Sequence, residues 1–127
     1  VMGWDFVDAG FKIVLSAEVP ELARTALPKA IDGFLKEHGL GRGDIATWVA
    51  HPGGPKVIEA MQEGLELSPS DLEASRRSLA EVGNLSSASV LFLLDEFRRH
   101  RAPPRGAMGL LLAMGPAFCA ELVLLRW

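Results

Sequence analysis

The sequence predicts an α/β fold on a mixed β-sheet with helices on both faces. Three observations carry that reading. Short runs rich in β-branched and aromatic residues, such as Phe11–Leu15 and Ile45–His51, alternate with longer segments in which apolar residues recur every three or four positions. Glycine and proline punctuate the boundaries. The last two apolar runs are joined through Gly115-Pro116, which predicts an antiparallel pair at the end of the sheet.

The elements follow in order. Phe11-Lys12-Ile13-Val14-Leu15 is a short strand, closed by Ser16 and Pro20. Leu22/Ala23, Ala26/Leu27, Ala30/Ile31 and Phe34/Leu35 form one helical stripe, with a kink or two abutting helices expected at Pro28. His38-Gly39 suits a helix end: an imidazole near the last carbonyls, then a residue free to turn left-handed. Ile45 to His51 reads as a buried strand, followed by a Pro-Gly-Gly turn. Lys56 to Leu67 is helical, with Val57, Ile58, Met61 and Leu65 on one face. Ser68-Pro69 opens the next helix, Ser70 and Glu73 offer a capping box, and Gly83 ends it. The helix from Ser86 to His100 contains Val90-Leu91-Phe92-Leu93-Leu94, apolar all the way round, and is expected to be buried on all sides. Strands follow at Met108–Met114 and Phe118–Arg126.

The chain has 127 residues, enough for one domain or half of a larger one. Its hydrophobic content is 49%, high for a small free-standing domain, and part of that surface is expected to meet other protein. Thirteen basic and 16 acidic residues, interspersed for a net charge of −3, give no basic stripe for nucleic acid. The longest uncharged stretch, Gly106 to Ala120, is too short to span a membrane. One cysteine, Cys119, offers neither an intrachain disulfide nor metal-ligand spacing, so no metal site and a reducing, cytoplasmic setting are expected. Val1 opens the chain without a basic flank and apolar core, so no signal peptide is expected and the sequence reads as starting inside a longer polypeptide.

Two stretches carry chemistry. His51-Pro52-Gly53-Gly54-Pro55 puts an imidazole at a strand end, and Gly83-Asn84-Leu85-Ser86-Ser87-Ala88-Ser89-Val90 puts a carboxamide before a helix. Brought together, they supply two hydrogen-bond donors, as an enzyme needs to hold a thioester carbonyl while negative charge grows on its oxygen. The bland alternatives are a structural histidine and an N-cap at Asn84. Gly53-Gly54, opening a helix, suits a phosphate or the close passage of a substrate arm. His38 and His100 read as solvent-facing helix-end residues.

Taken together, these motifs resemble the C-terminal half of a type III polyketide synthase, the chalcone and stilbene synthase family. The resemblance covers nearly the whole chain: Met2-Gly3-Trp4-Asp5, Val19-Pro20, HPGGP at 51–55, GNLSSASVLFLLDE at 83–96 and MGPAFCAELVLLRW at 114–127. It implies half of a thiolase-like fold, a five-layer αβαβα arrangement in which the apolar helix would lie in the central layer. It implies condensation of an acyl-CoA starter with malonyl-CoA and ring closure, with CoA thioesters as substrates and no cofactor. His51 matches the family's catalytic histidine and Asn84 its catalytic asparagine. The nucleophilic cysteine would come from the N-terminal half, which is the expected partner within a homodimer. Ile13 falls at the neck between CoA tunnel and cavity, where a bulky aromatic is frequent. Gly53, Gly54 and Lys56 fall beside the pantetheine arm, and Ser86, Met114 and Pro116 along the substrate cavity. Ala113–Ala117 departs from the family's GFGPG loop at three of five positions, which argues against a chalcone-like product. The FCAELVLLRW ending resembles bacterial members. Cys119 stands where threonine is common and is expected to be buried and inert. Two other readings stay open: a ketoacyl carrier-protein synthase III-like enzyme, whose histidine motif reads HQAN rather than HPGG, and a non-catalytic half kept for assembly.

Overall fold

The computed structural model describes residues 2–127, with Leu15 by its backbone alone; Val1 lies outside the described residues. The order is β1 (Met2–Val7), β2 (Gly10–Leu15), α1 (Val19–Glu37), β3 (Ile45–Ala50), α2 (Pro55–Leu65), α3 (Glu73–Val82), α4 (Ala88–His100), β4 (Met108–Gly115) and β5 (Cys119–Arg126). Strands β3-β4-β5 form one sheet, parallel between β3 and β4 and antiparallel between β4 and β5. The mixed sheet with a closing antiparallel pair is therefore as the sequence predicts. A parallel pair needs a crossover, and α2, α3 and α4 supply it.

Period-2 alternation in β3 divides the core. Trp48 and Ala50 point to one face, where they meet Leu27, Ile31 and Leu35 of α1 and Ile58, Met61 and Leu65 of α2. Val49 points to the other, where it meets Ala74 of α3 and Leu93 and Phe97 of α4. The three-stranded sheet is thus covered on both faces, and His51 emerges where its central layer ends.

Four details depart from expectation. A strand at 2–7, not foreseen, pairs with β2 across the two-residue turn Asp8-Ala9. Its apolar side chains had no partner run visible upstream, yet Trp4 and Phe6 stack edge-on against Phe11, with Phe6–Phe11 centroids 5.0 Å apart. Second, α1 runs unbroken through Pro28, because the buried stripe of Ala23, Leu27, Ile31 and Leu35 outweighs one missing hydrogen bond. Proline leaves the Arg24 carbonyl without its intrahelical donor, and Gly64 of α2 packs against that carbonyl. Third, the capping contact is made two residues earlier than Ser70/Glu73: Asp71 Oδ2 accepts from the Ser68 N–H and hydroxyl, each at 2.8 Å, at the head of a 3-10 turn over Pro69–Leu72.

Fourth, α4 is not buried on all sides. Val90, Leu93 and Phe97 are buried, but Leu91 is 63% and Phe92 55% exposed. The sheet and α3 pack against one side of this helix, and among the described residues Leu91 and Phe92 stay uncovered on the other. None of the helices is long and apolar enough to cross a membrane among the described residues.

Candidate active site

The Pro-Gly-Gly turn after β3, the Gly83–Ser87 segment before α4, the end of β2 and the β4–β5 turn surround one cleft of about 870 Å³. Its lining is mostly apolar, with a few polar groups, as expected of a small-molecule site.

His51 lies at the inner wall. Its backbone N–H continues the parallel ladder by donating to the Leu112 carbonyl at 2.9 Å, so the end of the sheet sets where the side chain leaves. The residue is 9% exposed. Burial disfavours the charged ring and pushes its pKa below the ordinary histidine value, so the imidazole is neutral at pH 7 and carries one N–H. Nδ1 has no hydrogen-bond partner among the described residues. The Nε2 edge faces Gly53: a Cβ built there would lie 3.8 Å from Cδ2 and 3.9 Å from Nε2.

Asn84 reaches the same turn from the segment before α4. Its Nδ2 donates to the Gly53 carbonyl at 3.1 Å, and its Oδ1 accepts from the Ser86 N–H at 2.9 Å. That leaves one amide hydrogen free. The loop is held by the buried Ser89 hydroxyl, which accepts from the Leu85 N–H at 2.9 Å, and Ser86 adopts a left-handed φ of 57°. Strain of this kind costs about 1–3 kcal/mol and persists where its surroundings fix it. Asn84 therefore does not cap α4: the helix begins only at Ala88 with Ser87 at its N-cap, and the carboxamide is anchored to the Gly53 carbonyl instead.

The structure gathers eight of the nine sequence-predicted positions on this cleft: Ile13, His51, Gly53, Lys56, Asn84, Ser86, Met114 and Pro116. Gly54 is not among the lining residues. Its carbonyl instead accepts from the Val57 and Ile58 N–H groups at 3.1 and 3.0 Å, opening α2. Cys119 is a correction: it is exposed, not buried, and it lines the cleft with Glu121. Charged Glu121 has to face water, and Cys119 shares its strand face two residues earlier, a signal present in the sequence. Trp4 and the Ser16–Pro20 corner also line the cleft and were not foreseen, because the strand that carries Trp4 was not.

This geometry can be set beside known proteins. The family model described as "Chalcone and stilbene synthases, C-terminal domain" matches residues 1–127, and the chain belongs to that family. It is 51% identical over its full length to a 1,3,6,8-tetrahydroxynaphthalene synthase of Streptomyces peucetius subsp. caesius, of which it covers 34%, and 39% identical to a putative chalcone synthase of Bacillus subtilis (strain 168), of which it covers 35%. Among solved structures, 1,3,6,8-tetrahydroxynaphthalene synthase from Streptomyces coelicolor A3(2), a bacterial type III polyketide synthase, superposes with a TM-score of 0.92 at 32% identity, over 99% of this chain and 36% of that one. A polyketide synthase, PKS-I, from the brown alga Ectocarpus siliculosus superposes at 0.89 with 36% identity, over 98% of this chain and 35% of that one. The chain spans about a third of the length of these relatives.

Proposed function

We propose that this chain is the C-terminal catalytic half of a type III polyketide synthase, extending an acyl-CoA starter with malonyl units and then closing a ring. The observation that supports it is the convergence of His51 and Asn84, from separate segments of the chain, on Gly53 in one cleft.

In this reading the imidazole N–H and the free amide hydrogen of Asn84 both donate to the thioester carbonyl oxygen of malonyl-CoA. The bond to the carboxylate breaks, CO2 leaves, and the electron pair moves onto that oxygen as an enolate. The two donors stabilise the new charge in a site largely shielded from water, where each is worth roughly 3–4 kcal/mol of barrier. The enolate carbon then attacks the acyl carbonyl on a cysteine, forming a carbon–carbon bond and expelling thiolate. That cysteine belongs to the N-terminal half. Burial keeps His51 neutral in this chain; a thiolate beside it would draw the ring toward its cation, an attraction that also favours the ionised sulfur.

Gly53 leaves the ring edge uncovered for the pantetheine arm, with Lys56 exposed at the rim. Ile13, Ser86, Met114 and Pro116 bound the space for the growing chain. The synthase acts in the cytoplasm as a homodimer on CoA thioesters, without a further cofactor. The chain alone is inactive, because the nucleophile belongs to the other half and Cys119, on β5 with its sulfur toward Gly115, is no substitute for it.

The test is malonyl-CoA decarboxylation by the full-length synthase. His51→Ala and Asn84→Ala should each lower kcat by about 100- to 1000-fold; a rate unchanged in either variant contradicts the assignment.

A further inference from the structure

His51 has to present one ring edge to the cleft, and something must hold it there. Functional histidines are usually oriented by a hydrogen bond at the second ring nitrogen. Among the described residues Nδ1 of His51 makes none. The direction of the ring is therefore set by the backbone from which it projects.

That backbone is gripped on two sides. The His51 N–H donates to Leu112 of β4. The trans peptide turns the Ala50 carbonyl the opposite way, to the side of β3 on which no described strand pairs. The Ser75 hydroxyl, in the first turn of α3, donates to this carbonyl at 2.7 Å across 25 residues of sequence. Ser75 is fully buried. A serine within a helix ordinarily turns its hydroxyl to a carbonyl of its own preceding turn; this one reaches across to the sheet.

We propose that Ser75 is the positioning residue of His51: by fixing the Ala50 carbonyl it fixes the peptide plane from which the imidazole projects, without touching substrate. The inference rests on the proposed role of His51 as an oxyanion donor. Any small buried residue would fill the space, but only a hydroxyl supplies the hydrogen bond.

The experiment compares Ser75→Ala, Ser75→Cys and Ser75→Thr in the full-length synthase, with His51→Ala alongside. Ser75→Ala should lower kcat for malonyl-CoA decarboxylation by about 10- to 100-fold, the cost of misplacing a reacting group by a fraction of an ångström to one ångström. KM should stay within roughly threefold, since binding is not what is lost. Ser75→Cys keeps the shape with a weak donor and should behave like alanine; it decides the matter if the alanine variant does not fold. Ser75→Thr retains the hydroxyl and should retain kcat. The His51 ring resonances in an NMR spectrum should move in the alanine and cysteine variants and not in the threonine variant. A role confined to stability would lower the melting temperature and leave kcat of the folded enzyme and the ring resonances unchanged. That result, or a threonine variant as slow as alanine, overturns the inference while His51→Ala still abolishes decarboxylation. Decarboxylation that survives His51→Ala overturns the proposed function instead.

Discussion

Gly64 lets α2 approach the backbone of α1 closely. A Cβ at Gly64 would stand 2.3 Å from the Arg24 carbonyl oxygen and 2.9 Å from Arg24 C and Cα. All three are backbone atoms and cannot rotate away. Ordinary contact begins at 3.4 Å, so Gly64→Ala must push the helices apart by about 1.1 Å there. A gap of 0.5–1 Å already forfeits roughly a quarter to a half of each dispersion contact. Leu27, Ile31, Ile58, Met61 and Leu65 share this interface and the clash is with backbone, so the loss is about 2–3 kcal/mol, the upper part of the range for an overpacked core. Alanine's better helix propensity returns about 1 kcal/mol, leaving a net destabilisation of roughly 1–2 kcal/mol. Gly33 is the control: it lies mid-helix in α1, is exposed, and has nothing within 4 Å of its Cβ position. Gly33→Ala should stabilise by about 0.5–1 kcal/mol. Urea unfolding followed by circular dichroism separates the two. The same sign of shift for both substitutions would refute the reasoning, since it would mean that propensity alone decides and the close approach does not matter.

Other consequences follow from the cleft. Burial depresses the His51 pKa below its unfolded value, so above pH 6.5 both states leave the ring neutral. As pH falls below that, the unfolded state takes up the proton first and stability drops; His51→Asn should flatten this part of a stability-versus-pH curve, and an unchanged slope would remove His51 as its source. Cys119 is exposed, so a maleimide should add one equivalent to it under native conditions, as read by intact mass. An acyl-CoA should add none to this chain, and a stoichiometric acyl adduct on Cys119 would make it a nucleophile.

Much of this fold is legible in the residue pattern because its signals are local. Ile45–Ala50 is β-branched and bounded by Asp44 and a Pro-Gly-Gly turn, and the stripe through Leu27, Ile31 and Leu35 keeps one period across Pro28. The helix persisted through that proline because burial along the stripe is a tertiary effect, invisible to a rule about one residue. The hairpin strand at Met2–Val7 was missed for a related reason: half of its evidence is its partner, Gly10–Leu15, and Gly10 reaches the turn with φ +118°. The cleft was legible wherever a motif marked it, at His51, Gly53 and Asn84. It was not legible at Cys119, read as buried because cysteine usually is, although Glu121 two residues on marks the exposed face of the strand. The exposure of Leu91 and Phe92 had a signal only at the level of the whole chain, in a hydrophobic content of 49% that leaves apolar surface for other protein to cover; the all-apolar run itself shows that cover is needed, not which residues lack it.

The central claim is that an imidazole hydrogen and a carboxamide hydrogen meet on one oxygen atom. A crystal structure of the full-length synthase with a non-hydrolysable malonyl-CoA analogue measures this directly. The thioester carbonyl oxygen should lie about 2.7–3.1 Å from both a ring nitrogen of His51 and Nδ2 of Asn84. An oxygen bound by only one of them, or a thioester seated outside the cleft between Gly53 and Met114, would contradict the account.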